Sequence, residues 1–153
     1  MKTIYNFIIL FTSFLAITSC SNEDEVFEAI EFETTGLSLT KSIGSENSFW
    51  AEVPSEGCVI TFKAVGKNKN NGFLNKLKIN GQSEDINKDS IGCIVQKDWG
   101  KIERVSTDPH ETKITLYPNN SDNTRNFELF FGIAYKTSNI LVSQPNYKED
   151  RFR

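Results

Sequence analysis

The stretch "TKITLYPNNSDNTRNFELFFGI", residues 112–133, decides the fold class. Its first part, "TKITLYP", alternates apolar with polar residues, and its last part, "NFELFFGI", does the same. In the first part, Ile114 and Leu116 are predicted to face one side. In the last part, Phe127, Leu129, Phe131 and Ile133 are predicted to face one side, and Glu128 and Phe130 the other. Alternation with period two is typical of half-buried β-strands. The intervening "PNNSDN", 118–123, consists of turn-forming residues. The stretch therefore predicts two strands joined by a turn.

The same pattern recurs along the chain. "CVITFKAV", residues 58–65, places Cys58, Ile60, Phe62 and Ala64 on one face. Turn residues separate such runs at "PSEG" 54–57, "GKNKNNG" 66–72 and "NG" 80–81, and Asn-Gly is the strongest short hairpin signal. No run of ten residues carries a helical apolar stripe. The sequence predicts an all-β, mostly antiparallel β-sandwich with essentially no helix after residue 19.

The N-terminal segment has a different composition. A short basic start is followed by an apolar run from Ile4 to Ile17, and the chain turns acidic after Cys20 in "SNEDE". This layout is typical of a secretory signal and is short for a membrane span. A buried N-terminal helix would explain the apolar run but not the abrupt change at Cys20. We therefore expect residues 1–19 to be a removed signal peptide.

The residues "ITSC", 17–20, resemble the lipobox of bacterial lipoproteins. The resemblance implies that Cys20 becomes the first mature residue and carries the lipid, so the chain would reach the membrane through acyl chains. "SNEDE", 21–25, resembles the acidic export tag that directs Bacteroidetes lipoproteins to the cell surface, with a soluble acidic linker as the alternative. The expected organisation is a tether at 20–27, a folded domain at 28–145 and a polar tail at 146–153.

Charge and cysteine content narrow the function further. The chain has 17 basic and 20 acidic residues, a formal charge of −3, which argues against a nucleic-acid partner because phosphate binding requires a basic surface.

Cys58 and Cys93 are candidates for a disulfide in an exported chain. Two reduced, buried thiols are the alternative, since sequence spacing does not determine whether the two cysteines meet.

A second resemblance covers roughly residues 49–145. The segments "DWGKIERV", "TKITLYPNNSDNTRNFELFF" and "SNILVSQ" resemble the BACON-type immunoglobulin-like domain of Bacteroidetes surface proteins. The matching positions are Trp99, Asn120 or Asn119, Arg125, Val142 and Gln144. The resemblance implies an immunoglobulin-like sandwich and suggests glycan or mucin contact. The chain departs from the pattern between Gly66 and Trp99, where we expect an added hairpin around Asn80-Gly81. Residues 28–41 are expected to supply one or two edge strands.

The sequence offers no catalytic constellation. The chain has one histidine, His110, in the predicted loop "TDPHET", where solvent exposure is the simpler interpretation. Motifs for hydrolases, phosphate loops or zinc sites are absent from the sequence. "PNNSDN" contains oxygen ligands suited to calcium, but an Asx-rich turn explains the same residues with fewer assumptions. We expect no enzyme, no cofactor and no metal.

Binding is the better expectation. Sugars bind to flat aromatic rings bordered by amides and carboxylates, and Trp50 is predicted to share an exposed strand face with Glu52. Phe130, Tyr117 and Tyr135 lie opposite apolar stripes and are further candidates, although such rings also cover ordinary sheet faces. Trp99 is predicted to lie in the core.

Two function hypotheses remain open. One is a lipid-anchored outer-membrane module that contacts glycan or mucin. The other is an accessory lipoprotein that binds a second envelope protein. "DSI", 89–91, resembles the O-glycosylation acceptor of Bacteroidetes exported proteins, which would make Ser90 a glycan carrier.

Overall fold

The computed structural model of the protein describes residues 28–86 and 91–147. These residues form eleven strands and one 3-10 turn at Lys69–Asn71. The strands are β1 (Glu31–Thr35), β2 (Thr40–Lys41), β3 (Ser48–Glu52), β4 (Cys58–Val65), β5 (Leu74–Ile79), β6 (Gln82–Glu84), β7 (Gly92–Lys97), β8 (Gly100–Thr107), β9 (His110–Leu116), β10 (Arg125–Ile133) and β11 (Lys136–Gln144). The prediction of an all-β fold with essentially no helix is confirmed for the described residues.

The strands form two sheets. One has the order β1-β4-β9-β8-β7 and the other the order β2-β3-β11-β10-β5-β6. The pairs are antiparallel except β3 with β11, which run parallel. Buried residues of both sheets belong to one hydrophobic cluster, so the two sheets pack face to face as a β-sandwich. The predicted fold class is therefore confirmed, and β1 and β2 are edge strands, as expected for residues 28–41.

The core lies between the sheets and follows the predicted alternation. Phe62 of β4 is fully buried, and its ring centroid is 5.9 Å from that of Phe32 and 5.3 Å from that of Phe131. Fully burying a side chain of this size contributes about 1.5–3 kcal/mol. Trp99 is buried and packs edge-on against Phe127 at 5.2 Å, which confirms the prediction that it belongs to the core.

The predicted apolar stripe of β10 ends at Phe131, two residues earlier than expected. Ile133 is exposed rather than buried. Gly132 has a φ of 82°, so the backbone leaves the extended conformation there and the alternation of side chains stops. Placing Ile133 on the buried face was wrong for this reason.

The Asn80-Gly81 hairpin is present and joins β5 to β6. Asn80 and Gly81 have φ values of 50° and 82°. Positive φ at both central residues is the signature of a type I′ turn, whose twist matches that of the flanking strands. The hairpin adds an edge to the six-stranded sheet, in agreement with the expected insertion.

Cys58 and Cys93, the candidates for a disulfide, are both free thiols in the structure. Cys58 lies in β4 and Cys93 in β7, and β9 and β8 separate these two strands within the sheet. Three strand spacings place the two cysteines about 14 Å apart or more. A disulfide needs Cα atoms within about 7 Å.

The histidine also differs from expectation. His110 begins β9 instead of lying in a loop, and it is half-buried. Its ring packs edge-on against Phe73 with centroids 5.5 Å apart, and its Nε2 is 3.1 Å from the Asn70 carbonyl oxygen. Desolvation lowers the pKa of His110, so the neutral imidazole is favoured. The interpretation of His110 as a solvent-exposed loop residue was wrong.

Candidate functional site

The outer faces of the two sheets differ in character. The outer face of the five-stranded sheet carries charged residues in ion pairs, with Lys101 3.1 Å from Glu103 and Lys63 3.7 Å from Glu33. Such exposed pairs are typical of a solvated surface. The outer face of the six-stranded sheet also carries an ion pair, Lys78 with Glu128, but it adds two larger exposed apolar side chains, Trp50 and Leu141, which makes it the stronger candidate for a binding surface.

Trp50 lies on this face in β3, next to the short edge strand β2. Its neighbour in sequence, Ala51, is buried against the core, so alternation directs the Trp50 ring outward, where 47% of the residue is exposed. Leu141 of β11 lies directly beside it and is 41% exposed. Glu52 points the same way and is exposed. The predicted exposure of Trp50 and its shared face with Glu52 are both observed.

Phe130 of β10 lies on the same face. It pairs with Asn139 of β11 on one side and with Lys76 of β5 on the other. The ammonium groups of Lys76 and Lys78 are 5.6 Å and 5.5 Å from the centre of its ring, within cation–π range. Lys78 is also 3.3 Å from Glu128. Phe130 is therefore half-buried beneath lysine stems.

Together Trp50, Leu141 and Phe130 form a diagonal row that we call the outer-face patch. Trp50 and Phe130 are two strands and two residues apart, a separation of about 12 Å between their Cα atoms. Leu141 fills the space between them. Among the described residues the patch is the place where two of the predicted ligand-binding aromatics share one face.

Polar side chains border the outer-face patch. Asn139 and Ser143 flank Leu141 along β11, and Glu128 lies beside it on β10. The side-chain oxygen Oδ1 of Asn139 is buried and has no hydrogen-bond partner among the described residues. A surface of rings with an amide and a carboxylate at its rim matches the chemistry of sugar recognition, in which C–H groups cover the ring and hydroxyls meet the polar groups.

A polar cleft adjoins the patch at the Lys76 side. Its volume is about 330 Å³, and it is lined by Asn75, Lys76, Glu84, Asp85 and Ile86. Glu84 is already paired with Lys97 of the other sheet at 3.3 Å. The cleft thus extends the polar border of the patch along the edge formed by β5 and β6.

The structure does not bring the two predicted tyrosines to the patch. Tyr117 follows β9, where its backbone NH donates to the Trp99 carbonyl. Tyr135 lies in the turn between β10 and β11, at the opposite end of the sandwich. The nine residues of β10 separate these two ends by roughly 30 Å. Neither tyrosine shares a face with Trp50.

Sequence reasoning missed Leu141 and Asn139. Both lie in "SNILVSQ", which indicated a closing strand and nothing about its outer face. The available signal was the single large apolar residue Leu141 between Asn139 and Ser143, all three on the face opposite the buried Ile140 and Val142. Which strand lay beside Leu141 was not visible, because β3 is distant in sequence.

Some of the residues that carry the resemblance to BACON-type domains lie away from the outer-face patch. Asn119, Arg125 and Gln144 form a closed polar network at one end of the sandwich. Gln144 is fully buried, and its Oε1 accepts a hydrogen bond from Arg125 at 3.0 Å while its Nε2 donates to the Tyr117 carbonyl at 3.0 Å. Asn119 is also fully buried and donates to the carbonyls of Asn123, Gln144 and Pro145. These side chains hold the loops together.

The oxygen atoms of "PNNSDN" serve the turn rather than an ion. The side-chain oxygen of Asn119 accepts hydrogen bonds from the backbone NH of Ser121 at 3.3 Å and from its hydroxyl at 2.7 Å, which is an Asx-turn. In the described part of the chain, no cluster of three or more His, Cys, Asp or Glu side chains has a metal-binding arrangement.

Several predictions concern the boundaries of the fold. Cys20, Ser90, the signal segment and residues 148–153 lie outside the described residues. Asn146 is buried and donates to the Asp122 carbonyl, so the fold continues beyond the expected boundary at 145. Between residues 28 and 147, apart from 87–90, no helix has the length and apolar content to cross a membrane.

Comparisons with known proteins support the architecture alone. The chain matches no known family and no curated protein. It is similar to an NMR structure of a protein from Bacteroides thetaiotaomicron, with a TM-score of 0.57 and 16% sequence identity over 85% of this chain and 98% of that chain. At this level of identity the similarity shows a shared fold and carries no function across.

Proposed function

We propose that the protein is an exported lipoprotein, anchored through Cys20 on the outer membrane of a bacterium, that binds glycan with the outer-face patch. The lipobox-like "ITSC" and the acidic "SNEDE" support the anchor and the surface location. The sandwich would act as a binding module with no catalytic step, no cofactor and no nucleic-acid partner.

A single observation carries the glycan proposal: an exposed tryptophan and a second, half-buried aromatic ring share one sheet face with amide and carboxylate side chains. Aromatic rings provide large apolar contact area with little loss of side-chain freedom. Asn139 offers an amide between Trp50 and Phe130, and Glu52 and Glu128 offer carboxylates that accept hydrogen bonds from hydroxyls.

The resemblance to BACON-type domains adds an expectation of glycan or mucin contact. The residues that carry the resemblance, including Trp99, Asn119 and Gln144, are engaged in the core and in the loop network. They are therefore not offered as ligand contacts. Support for a ligand comes from the outer-face patch, whose residues are not among the matching positions of that resemblance.

A second candidate function is the recognition of another envelope protein. Leu141 favours it, because an exposed leucine between two rings is also suited to a protein interface. Strand addition at a sheet edge is less favoured. The edge strands β2 and β6 have only two and three residues, and the edge strand β1 carries Glu31 and Glu33. The fourth edge strand, β7, has six residues, and its pairing is irregular between Cys93 and Val95.

A glycan array with the wild type and Trp50→Ala tests the proposal. Tyr135→Ala is the matched control, since Tyr135 is 43% exposed but lies at the end of the sandwich. Trp50→Ala should weaken binding about tenfold or more, because losing about 1.4 kcal/mol of ring contact has that effect. Tyr135→Ala should bind like the wild type. Absence of glycan binding by the wild type, or equal binding by Trp50→Ala, would contradict the proposal.

A further inference from the structure

The chain enters the sandwich at a defined end. The backbone NH of Glu28 donates to the Tyr135 carbonyl at 2.7 Å, and the Glu28 carbonyl accepts from Thr137 at 3.2 Å. Its carboxylate is 2.9 Å from the Lys67 ammonium and 3.1 Å from the Asn68 amide nitrogen. Hydrogen bonding to Lys67 lowers the pKa of Glu28. Glu28 is thereby fastened beside the β10–β11 turn. We call this the entry end, which comprises residue 28 and the loops at 42–47, 66–73, 107–110 and 133–136.

The turns of the entry end are apolar at their tips. Ile43, in the turn between β2 and β3, is fully exposed. Ile133, the last residue of β10, and Tyr135, in the β10–β11 turn that follows it, are 52% and 43% exposed. Ala134 between them has a φ of 51°, a conformation usually taken by glycine or asparagine. Turn tips normally carry polar residues, glycine or proline. Large apolar side chains at two adjacent tips therefore indicate a partner.

The opposite end of the sandwich lacks this feature. Its turns are "PSEG" at 54–57, "NG" at 80–81 and "PNNSDN" at 118–123, and the last of these is stabilised by the Asn119 network. Both ends of the sandwich consist of turns of similar length. The two ends therefore differ in the chemistry of their exposed side chains. Two exposed tyrosines, Tyr117 and Tyr147, flank the turns of that end, so the entry end is distinguished by its exposed isoleucines, Ile43 and Ile133.

The position of Cys20 identifies the partner. Glu28 follows Cys20 by eight residues, which span at most about 28 Å when fully extended. A lipid on Cys20 would thus keep the entry end within that distance of the bilayer. Isoleucine and tyrosine side chains are suited to the boundary between headgroups and acyl chains, and lysine side chains such as that of Lys136 can extend toward the headgroups.

We propose that the entry end docks on the surface of the bilayer to which the chain is anchored, with Ile43, Ile133 and Tyr135 inserted at the headgroup boundary. This rests on the proposed lipid at Cys20. The entry end carries three basic residues, Lys67, Lys69 and Lys136, and three acidic residues, Glu28, Glu46 and Asp108. Because these charges balance, the docking is apolar and depends little on anionic lipid or on salt.

Docking of this kind sets the orientation of the binding module. Strands β10 and β11 connect the entry end with the opposite end, so their axes would point away from the membrane surface. The outer-face patch would then face sideways, clear of the lipid surface, and the Asn119 network would point outward. A glycan chain running along the cell surface could reach Trp50 in this orientation.

The experiment uses the full chain purified from membranes and placed in phosphatidylcholine nanodiscs that contain a paramagnetic headgroup lipid. Amide NMR signals of residues 43–46 and 133–136 should broaden several-fold more than those of residues 119–123. The double variant Ile43→Ser/Ile133→Ser should lose this difference. The matched control Val59→Ser/Val105→Ser, two exposed positions on the outer side of the five-stranded sheet, should keep it.

The outcomes separate docking from anchoring. A chain that sediments with membranes but shows equal broadening at both ends, or an unchanged difference in Ile43→Ser/Ile133→Ser, overturns the docking alone. A wild-type chain that stays soluble, or a Cys20→Ser chain that still sediments with membranes, overturns the anchor and the docking with it. The difference in amide broadening between the two ends should persist when each nanodisc holds one copy of the chain. Its loss under that condition would identify a second copy as the occupant and overturn the bilayer proposal.

Discussion

Asn119 and Asn120 are adjacent and chemically identical, yet the fold uses them differently. Asn119 is fully buried and bonds three carbonyls and Ser121, whereas Asn120 is exposed. The sequence resemblance allowed either residue, and in the structure Asn119 is the one that joins the loop network. Burial distinguishes them, because an amide removed from water must find partners within the protein.

Asn119→Ala should lower the free energy of unfolding by about 2–4 kcal/mol, since it leaves the buried carbonyls of Gln144 and Pro145 without their donor. The control Asn120→Ala should change it by about 0.5 kcal/mol or less. Urea denaturation of both variants measures the effect. Equal losses in the two variants would mean that the network does not stabilise the fold.

The strands themselves follow from local pattern. Period-two alternation in β4, β9 and β10 predicted their inward residues, and turn residues predicted the breaks between them. The prediction failed where the backbone departs from extended geometry, as at Gly132. Alternation specifies which face a side chain takes only while the strand continues.

Gly57, in the turn before β4, has a φ of 88° and lies against β9, where an added Cβ would collide with the Leu116 carbonyl oxygen. Gly81, with a φ of 82°, faces open space. Gly81→Ala should cost about 1 kcal/mol from backbone strain alone. Gly57→Ala should cost at least about 1 kcal/mol more, because Leu116 or the turn must shift. Thermal or urea unfolding compares them, and a smaller loss at Gly57 would contradict the predicted contact.

At the scale of the whole molecule, pairing between distant strands decides which side chains meet. β3 lies beside β11, which brings Trp50 next to Leu141 and within two strands of Phe130. The same topology separates Cys58 from Cys93 by two intervening strands. Neither result is visible in the spacing of the residues along the chain.

The two thiols should react independently in a Cys20→Ser chain. Cys93 is exposed and should react rapidly with a maleimide, whereas Cys58 should react slowly because burial raises the pKa of its thiol. A reductant should leave the unfolding midpoint unchanged. Mass analysis without reductant should show both free thiols, and Cys93→Ser should remove the fast phase. A mass lower by one pair of hydrogens, or a midpoint that falls with reductant, would indicate a bridge.

The sequence by itself determined the all-β class, the positions of β4, β9 and β10, and the Asn80-Gly81 turn, because alternation and turn chemistry act between near neighbours in the chain. It also identified Trp50 and Phe130 as outward-facing aromatics, since their burial state depends on the same alternation. Only the tertiary structure decided that these two rings share a face with Leu141 and Asn139, that Tyr117 and Tyr135 lie at opposite ends, and that the cysteines stay apart. Those outcomes depend on which strands pair across long sequence separations, and that pairing is set by the packing of the whole core.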